Sequence, residues 1–205
     1  RSGWRLCGTA IFATGTGPCH LGYAVDADER WRTRSAHVFG TIGTSLVDQR
    51  IVASTEATWS IGGRVQTEAD GCVELDLGFT TAPRLFTLRR LALQDGQETV
   101  VPVAHLDLSA MKLGQSTESY LRLHARAFRF ASTAGGPPTV LSVGEHLEVL
   151  RYPGRWDSES LPAVDARPSG SVAPHRRSAS RHDYHATSPA NSEPMCATGS
   201  DRAAE

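Results

Sequence analysis

Apolar side chains recur at every second position along most of this chain, with Gly, Pro, Asp and Ser set between the runs. Every second residue of an extended strand points to the same side. Alternation of this kind therefore commits a chain to pleated sheet with one buried face. Trp4, Leu6, Gly8, Ala10 and Phe12 share one face of a first strand, and Gly15-Thr16-Gly17-Pro18 supplies the turn after it. Leu21, Tyr23 and Val25 alternate next, then the segment from Trp31 to Phe39, followed by Gly40 and Gly43. Val73, Leu75, Leu77 and Phe79 make the cleanest stripe, with Cys72, Glu74 and Asp76 on the opposite face. Leu88 to Leu93, Val100 to Leu108, Leu121 to Phe130, Val140 to Val143 and Leu147 to Tyr152 complete the series. Helix is nearly absent. The best candidate, Ser116 to Leu123, fits a strand equally well.

Short strands at this spacing predict an all-β domain over residues 1–156, a single curved antiparallel sheet forming a barrel or half-barrel. A segment of that length can bury a sizeable core. Composition changes after Trp156. Residues 157–205 are rich in Ser, Ala, Pro and Arg and poor in large apolar side chains. Such a stretch cannot offset its ordering entropy by burial, and a disordered low-complexity tail is expected. His182-Asp183-Tyr184-His185, inside it, has the look of metal ligands but reads as polar residues of that tail.

The chain carries 21 basic and 22 acidic side chains. That balance offers no electrostatic footprint for nucleic acid. No run of about 18 apolar residues exists to form a spanning helix. The four cysteines, at 7, 19, 72 and 196, lack CxxC spacing and are too few for a disulfide framework. They read as small buried thiols of a cytoplasmic protein. The first residue is Arg1, which suggests a fragment or processed form and leaves room for a removed signal peptide.

Three constellations could carry function. Arg30, Arg32 and Arg34 alternate with Trp31 and Thr33. On a strand, three guanidiniums would share a face suited to an anionic or sugar-bearing ligand, or would be solvated and paired with Asp26, Asp28 and Glu29. Glu74 and Asp76 stand two residues apart, which on a strand places them about 7 Å from each other. Acid–base chemistry is conceivable at such a pair, but pairing of Asp76 with Arg34, Arg89 or Arg90 is the favoured role. Trp4, Trp31, Trp59, Tyr120, Tyr152 and Trp156 could line a pocket or fill the core. No nucleophile elbow, phosphate-cradling glycine loop or metal-ligand spacing is present in the sequence. No catalytic residue, metal ligand or cofactor is assigned.

Several of these pieces, in order, resemble the bacterial family of putative glycolipid-binding proteins. They are Gly8-Thr9-Ala10-Ile11-Phe12, Cys19 with Leu21-Gly22-Tyr23-Ala24-Val25-Asp26, and Trp31-Arg32-Thr33-Arg34-Ser35-Ala36. Trp59 with Gly62-Gly63 follows, then Gly71-Cys72-Val73-Glu74-Leu75-Asp76-Leu77-Gly78-Phe79-Thr80. Leu88-Arg89-Arg90-Leu91, Tyr120 and Tyr152-Pro153-Gly154-Arg155-Trp156 end the series. The resemblance implies a half-barrel like that of bacterial lipoprotein carriers. It also implies non-enzymatic binding of an amphipathic ligand, a glycolipid or another acylated molecule, on the concave face. Thr81 to Leu88 departs from the family pattern, which has Pro-Ala-Thr-Asn and then Leu-Pro-Ile before the paired arginines. On this reading Trp31, Arg34, Leu75, Asp76, Arg89, Arg90 and Tyr120 contact the ligand. The rival readings are an enzyme acting on a small anionic substrate in the same concavity and a protein-interaction module without a small ligand.

Overall fold

A computed structural model describes residues 3–159 and 200–202. The alternating runs become strands: β1 (Trp4–Thr14), β2 (Gly17–Ala27), β3 (Thr33–Ile42), β4 (Ser45–Ala53), β5 (Trp59–Ile61), β6 (Arg64–Val65) and β7 (Glu74–Asp76). After one helix, α1 (Arg84–Leu91), come β8 (Glu98–Asp107), β9 (Lys112–His124), β10 (Ala127–Ser132), β11 (Thr139–Val143), β12 (Val149–Tyr152) and β13 (Trp156–Asp157). A three-residue strand, β14 (Ser200–Arg202), is also described. The all-β reading holds, with the strands dividing into two seven-stranded sheets. One has the order β14-β1-β2-β3-β4-β5-β6, and the other, which curls, the order β13-β12-β11-β10-β9-β8-β7. The remainder of the segment expected to be a disordered tail, with its His182–His185 cluster, lies outside the described residues.

Most neighbours are antiparallel, as expected, but β14 runs parallel to β1 and β7 runs parallel to β8. Parallel neighbours cannot be joined by a tight hairpin and need a crossover. The chain makes that crossover with α1, so Leu88 to Leu91, expected in a strand, are helical. Pro83 occupies the N-cap with φ −62°, already close to helical geometry, and Ala92 ends the helix in the left-handed region. The Val73–Phe79 stripe shortens to three paired residues, Glu74 to Asp76, all buried. Asp28 to Arg32 form a turn before β3 begins at Thr33. The expected arginine row is therefore split between a turn and a strand. Ser116 to Leu123 belong to β9.

Two hydrophobic clusters hold these elements. The larger joins Leu21, Val25, Val38 and Ile51 of the first sheet to Leu75, Ala104 and Leu106 of the second, with Trp59 fully buried within it. The Trp59 indole N–H donates to the Cys72 carbonyl at 2.7 Å, so its one polar atom is satisfied. The smaller cluster gathers Val103, Tyr120, Phe128, Phe130 and Leu141 of the second sheet. Helix α1 contributes Phe86 to the first cluster and Leu88 to the second. Cys19 and Cys72 are buried free thiols, and burial pushes the Cys72 thiol up to about 11. Cys7 departs from the all-thiol expectation, for it is disulfide-bonded.

Gly40 in β3 shows how tightly the first sheet is built. Its φ is +134°, and a Cβ there would lie 2.0 Å from the His20 carbonyl oxygen of β2. Backbone strain of this kind costs on the order of 1–3 kcal/mol even without a clash. Gly40→Ala should therefore lower stability by at least about 2 kcal/mol in a denaturant titration. Gly15→Ala, with nothing within 4 Å of the new methyl, should stay within about 0.5 kcal/mol of the parent protein.

Candidate functional site

A cavity of about 370 Å³ opens where the chain between β7 and α1 meets the ends of β8, β10 and β12. Phe12 of the first sheet, together with Phe79, Leu108 and Trp156, gives it an apolar wall. Asp76, Thr80, Thr81, Arg84 and His105 form its polar end. Phe12 and Phe79 stack at 5.8 Å, and Tyr23 meets Phe79 edge-on at 5.9 Å.

The polar end is a buried charge cluster. Asp76 reaches it from β7, Arg84 from the first turn of α1, His105 from β8 and Glu118 from β9. The Arg84 Nη2 donates to Asp76 Oδ2 at 3.1 Å and to Glu118 Oε1 at 2.9 Å. Tyr120 donates its hydroxyl proton to Glu118 Oε2 at 2.5 Å. The Asp76 carboxylate also accepts from the Gly78 amide at 2.9 Å and pairs with His105 Nδ1 at 3.1 Å. Gly78 has φ +76°, and a Cβ there would crowd the Leu106 carbonyl at 3.1 Å and the His105 ring at 3.3 Å. Glycine thus lets the chain turn back so that its own N–H meets Asp76. The guanidinium of Arg84 also lies over the Phe130 ring at 5.0 Å and the Tyr152 ring at 5.9 Å. Its Nε is buried without a hydrogen-bond partner among the described residues.

Burial alone would raise the Asp76 pKa. The charge of Arg84, the His105 contact and the Gly78 amide outweigh it, holding this carboxyl well below the ordinary carboxylate range. Glu118 shifts the other way, because burial dominates and Asp76 adds repulsion against the attraction of Arg84. Arg84 is held firmly protonated: burial opposes its charge, but Asp76 and Glu118 more than compensate. Tyr120 is raised by burial and by Glu118. The hydrogen bond to Asp76 raises the His105 pKa above its ordinary value, burial opposing.

Of the residues expected to contact a ligand, Asp76 lines this cavity. Tyr120 stands behind it through Glu118. Leu75 faces away, into the larger core cluster. The expected partners of Asp76 are engaged elsewhere, and Arg84 takes their place. Arg34 pairs with Asp28 at 2.6 Å, Arg90 pairs with Glu74, and Arg89 donates to the His146 carbonyl at 2.9 Å. Helix α1 explains this, since it turns Arg90 toward Glu74, where Thr87 also donates at 2.9 Å. Pairing of Asp76 with an arginine, the favoured role, is what the structure has, with Arg84 as the partner, while Glu74 is claimed by a separate arginine, Arg90. Trp31, with φ +64°, stacks on Trp4 at 4.2 Å and lies under Arg89 at 5.7 Å. Arg30, Arg32 and Arg34 line a separate surface cleft with Asp28 and Glu29.

Arg84, His105 and Glu118 were not singled out from the sequence as site residues. A usable signal was present: Glu118 interrupts the buried face of β9 between Ser116 and Tyr120, and a charge there demands a partner. No group of three or more His, Cys, Asp or Glu side chains able to hold a metal ion occurs among the described residues.

Removing one member of a buried ion pair typically costs about 3–5 kcal/mol, because the other charge is left uncompensated. Asp76→Asn should lose that much in a denaturant titration at neutral pH. The loss should fade in acid. A depressed carboxyl contributes its stability above its unfolded-state value of about 3.9 and loses it as pH falls through the lower folded value. His105 has the opposite sign: its contribution is full below about pH 6.5 and disappears as pH rises through its raised folded value. His105→Gln should remove that alkaline decline from the pH–stability profile.

Comparison with known proteins supplies a family. A family model described as "Putative glycolipid-binding" matches residues 1–158. No curated protein matches. The fold is similar to a crystal structure, at 1.80 Å resolution, of a DUF1089 family protein from Pseudomonas aeruginosa. The TM-score is 0.65 at 24% identity, over 78% of this chain and 93% of that one. At that identity the likeness speaks for the fold. With the family model covering the whole of both sheets except β14, the chain belongs to the putative glycolipid-binding family.

Proposed function

We propose that this domain binds an amphipathic small molecule, a glycolipid or another acylated compound, without transforming it, in the cavity between Phe12, Phe79, Trp156 and the Arg84 cluster. The supporting observation is the division of that one cavity into an apolar wall and a polar end. Its volume of about 370 Å³ lies near the lower bound of small-molecule sites, roughly 300–1,000 Å³. That room suits one head group with part of a chain rather than several long chains.

The enzymatic alternative has one observation in its favour, since Asp76 orients His105 as a carboxylate orients a catalytic base. No hydroxyl or thiol hydrogen-bonds to His105 among the described residues, so the pair has no nucleophile to activate. No helix among the described residues is long and apolar enough to cross a membrane. The cytoplasmic reading draws support from the free thiols Cys19 and Cys72, whereas the disulfide at Cys7 favours an oxidising compartment.

An apolar fluorescent probe should bind the folded domain and be displaced by alkyl glycosides. Affinity should rise about fourfold per added methylene, from about 0.8 kcal/mol each, until the cavity is full. Leu108→Asp, at a half-buried position on the apolar wall, should weaken probe binding at least tenfold while leaving the circular dichroism spectrum unchanged. A folded domain that binds neither probe nor glycoside at any chain length would leave the interaction-module reading ahead.

A further inference from the structure

The charge count at the polar end of the cavity limits which head groups can enter. Arg84 brings one positive charge, but Asp76 and Glu118 both contact the same Nη2. The cluster carries a net charge of minus one with both carboxyls ionised, and is neutral if Glu118 holds a proton. An anionic ligand would add a further negative charge to a guanidinium already matched, at a site where Arg84 and Asp76 are almost wholly buried. Low local polarity makes that repulsion strong. An uncharged oxygen meets no such penalty. It can accept a hydrogen bond from the Arg84 guanidinium or from the hydroxyls of Thr81 and Ser132, which line the same cavity. Trp156, half-buried at the lining, adds an aromatic ring against which the C–H groups of a sugar can lie.

We infer that the polar end of this cavity selects an uncharged, hydroxyl- or carbonyl-bearing head group and discriminates against anionic heads such as sulfate or phosphate. The inference rests on the amphipath-binding reading above and narrows it. Arg155, at the mouth, is exposed, so its charge is screened by solvent and salt. Gaining a proton at Glu118 or at His105 alters this balance, and His105 is the more accessible of the two. It faces Asp76 of β7, Arg84 of α1 and Glu118 of β9, with Asp107 nearby on its own strand. Its protonation adds the positive charge that the cluster otherwise lacks, and so relaxes the discrimination in mild acid.

The test uses the full chain, a neutral apolar probe (N-phenyl-1-naphthylamine) and two competitors of equal tail length, n-octyl glucoside and n-octyl sulfate, kept below micellar concentrations. The sulfate keeps its charge across the range, so any pH effect belongs to the protein. Near pH 9 the glucoside should displace the probe at a concentration about tenfold or more below that of the sulfate, because burying an unmatched charge is far costlier than burying a hydroxyl. Near pH 5.5 the gap should shrink at least about threefold as His105 charges. In His105→Gln, checked for folding by circular dichroism, the narrowing of the gap in acid should be smaller than in the unaltered protein. The pH series on the unaltered protein stands alone if that variant fails to fold. Sulfate binding as well as or better than glucoside near pH 9, with the preference insensitive to added salt, would overturn the inference and leave amphipath binding intact. Displacement by neither competitor would overturn both.

Discussion

A guanidinium taken out of water must be matched by charge and hydrogen bonds, or the fold that buries it does not persist. Arg84 sets that condition here. It leaves the first turn of α1 and meets carboxylates on two strands of the second sheet, β7 and β9, while aromatic rings of β10 and β12 cover its face. A shift of any one of these elements by a residue would strand at least one buried charge. The crossover helix, the short parallel strand β7 and the register of β9 are thus mutually dependent.

A third buried carboxylate, Glu74, lies two residues from Asp76 and is held by Thr87 and Arg90, three and six residues beyond Arg84. Two acid–arginine links therefore tie β7 to α1. A three-residue strand has too few backbone hydrogen bonds to be rigid alone, and these links compensate. The result is a cavity whose polar end is preset. A ligand would meet groups already oriented by the protein, which lowers the ordering cost of binding.

The long antiparallel strands were legible in the sequence where a period of two repeats often enough, as in β1, β2 and β8. The run from Leu121 to Phe130, by contrast, spans the end of β9, a turn and β10. Helix α1 was not legible. Its leucines at 88 and 91 sit in the last turn, and beyond Leu91 the run continues with Ala92 and Leu93, which imitates alternation. Pro83, the one strong start signal, precedes Arg84-Leu85-Phe86, which has no clear period of its own. Asp76 stands out in the sequence because it and Glu74 share the face opposite an apolar stripe. Its true partner was not found, since Arg84 lies 8 residues away and Glu118 a further 34, across a change of secondary structure. Local patterns report which face a residue is on; they carry little about which buried charges meet across elements. Trp31 shows the same limit, for its positive φ breaks the strand that its neighbours suggest.

Helix α1 has a kinetic consequence as well as a geometric one. It places Phe86 in one hydrophobic cluster and Leu88 in the other. The two clusters cannot loosen independently wherever they share this helix. Fluctuations that release it must expose apolar surface from both at once, so they approach the free energy of unfolding the whole domain. Gly135, Gly154 and Arg155 line the cavity outside either cluster and carry no such coupling, so opening there would expose less apolar surface. In this architecture the wall bearing the charges is the stiffer jaw of the cavity, and the turns form the softer one.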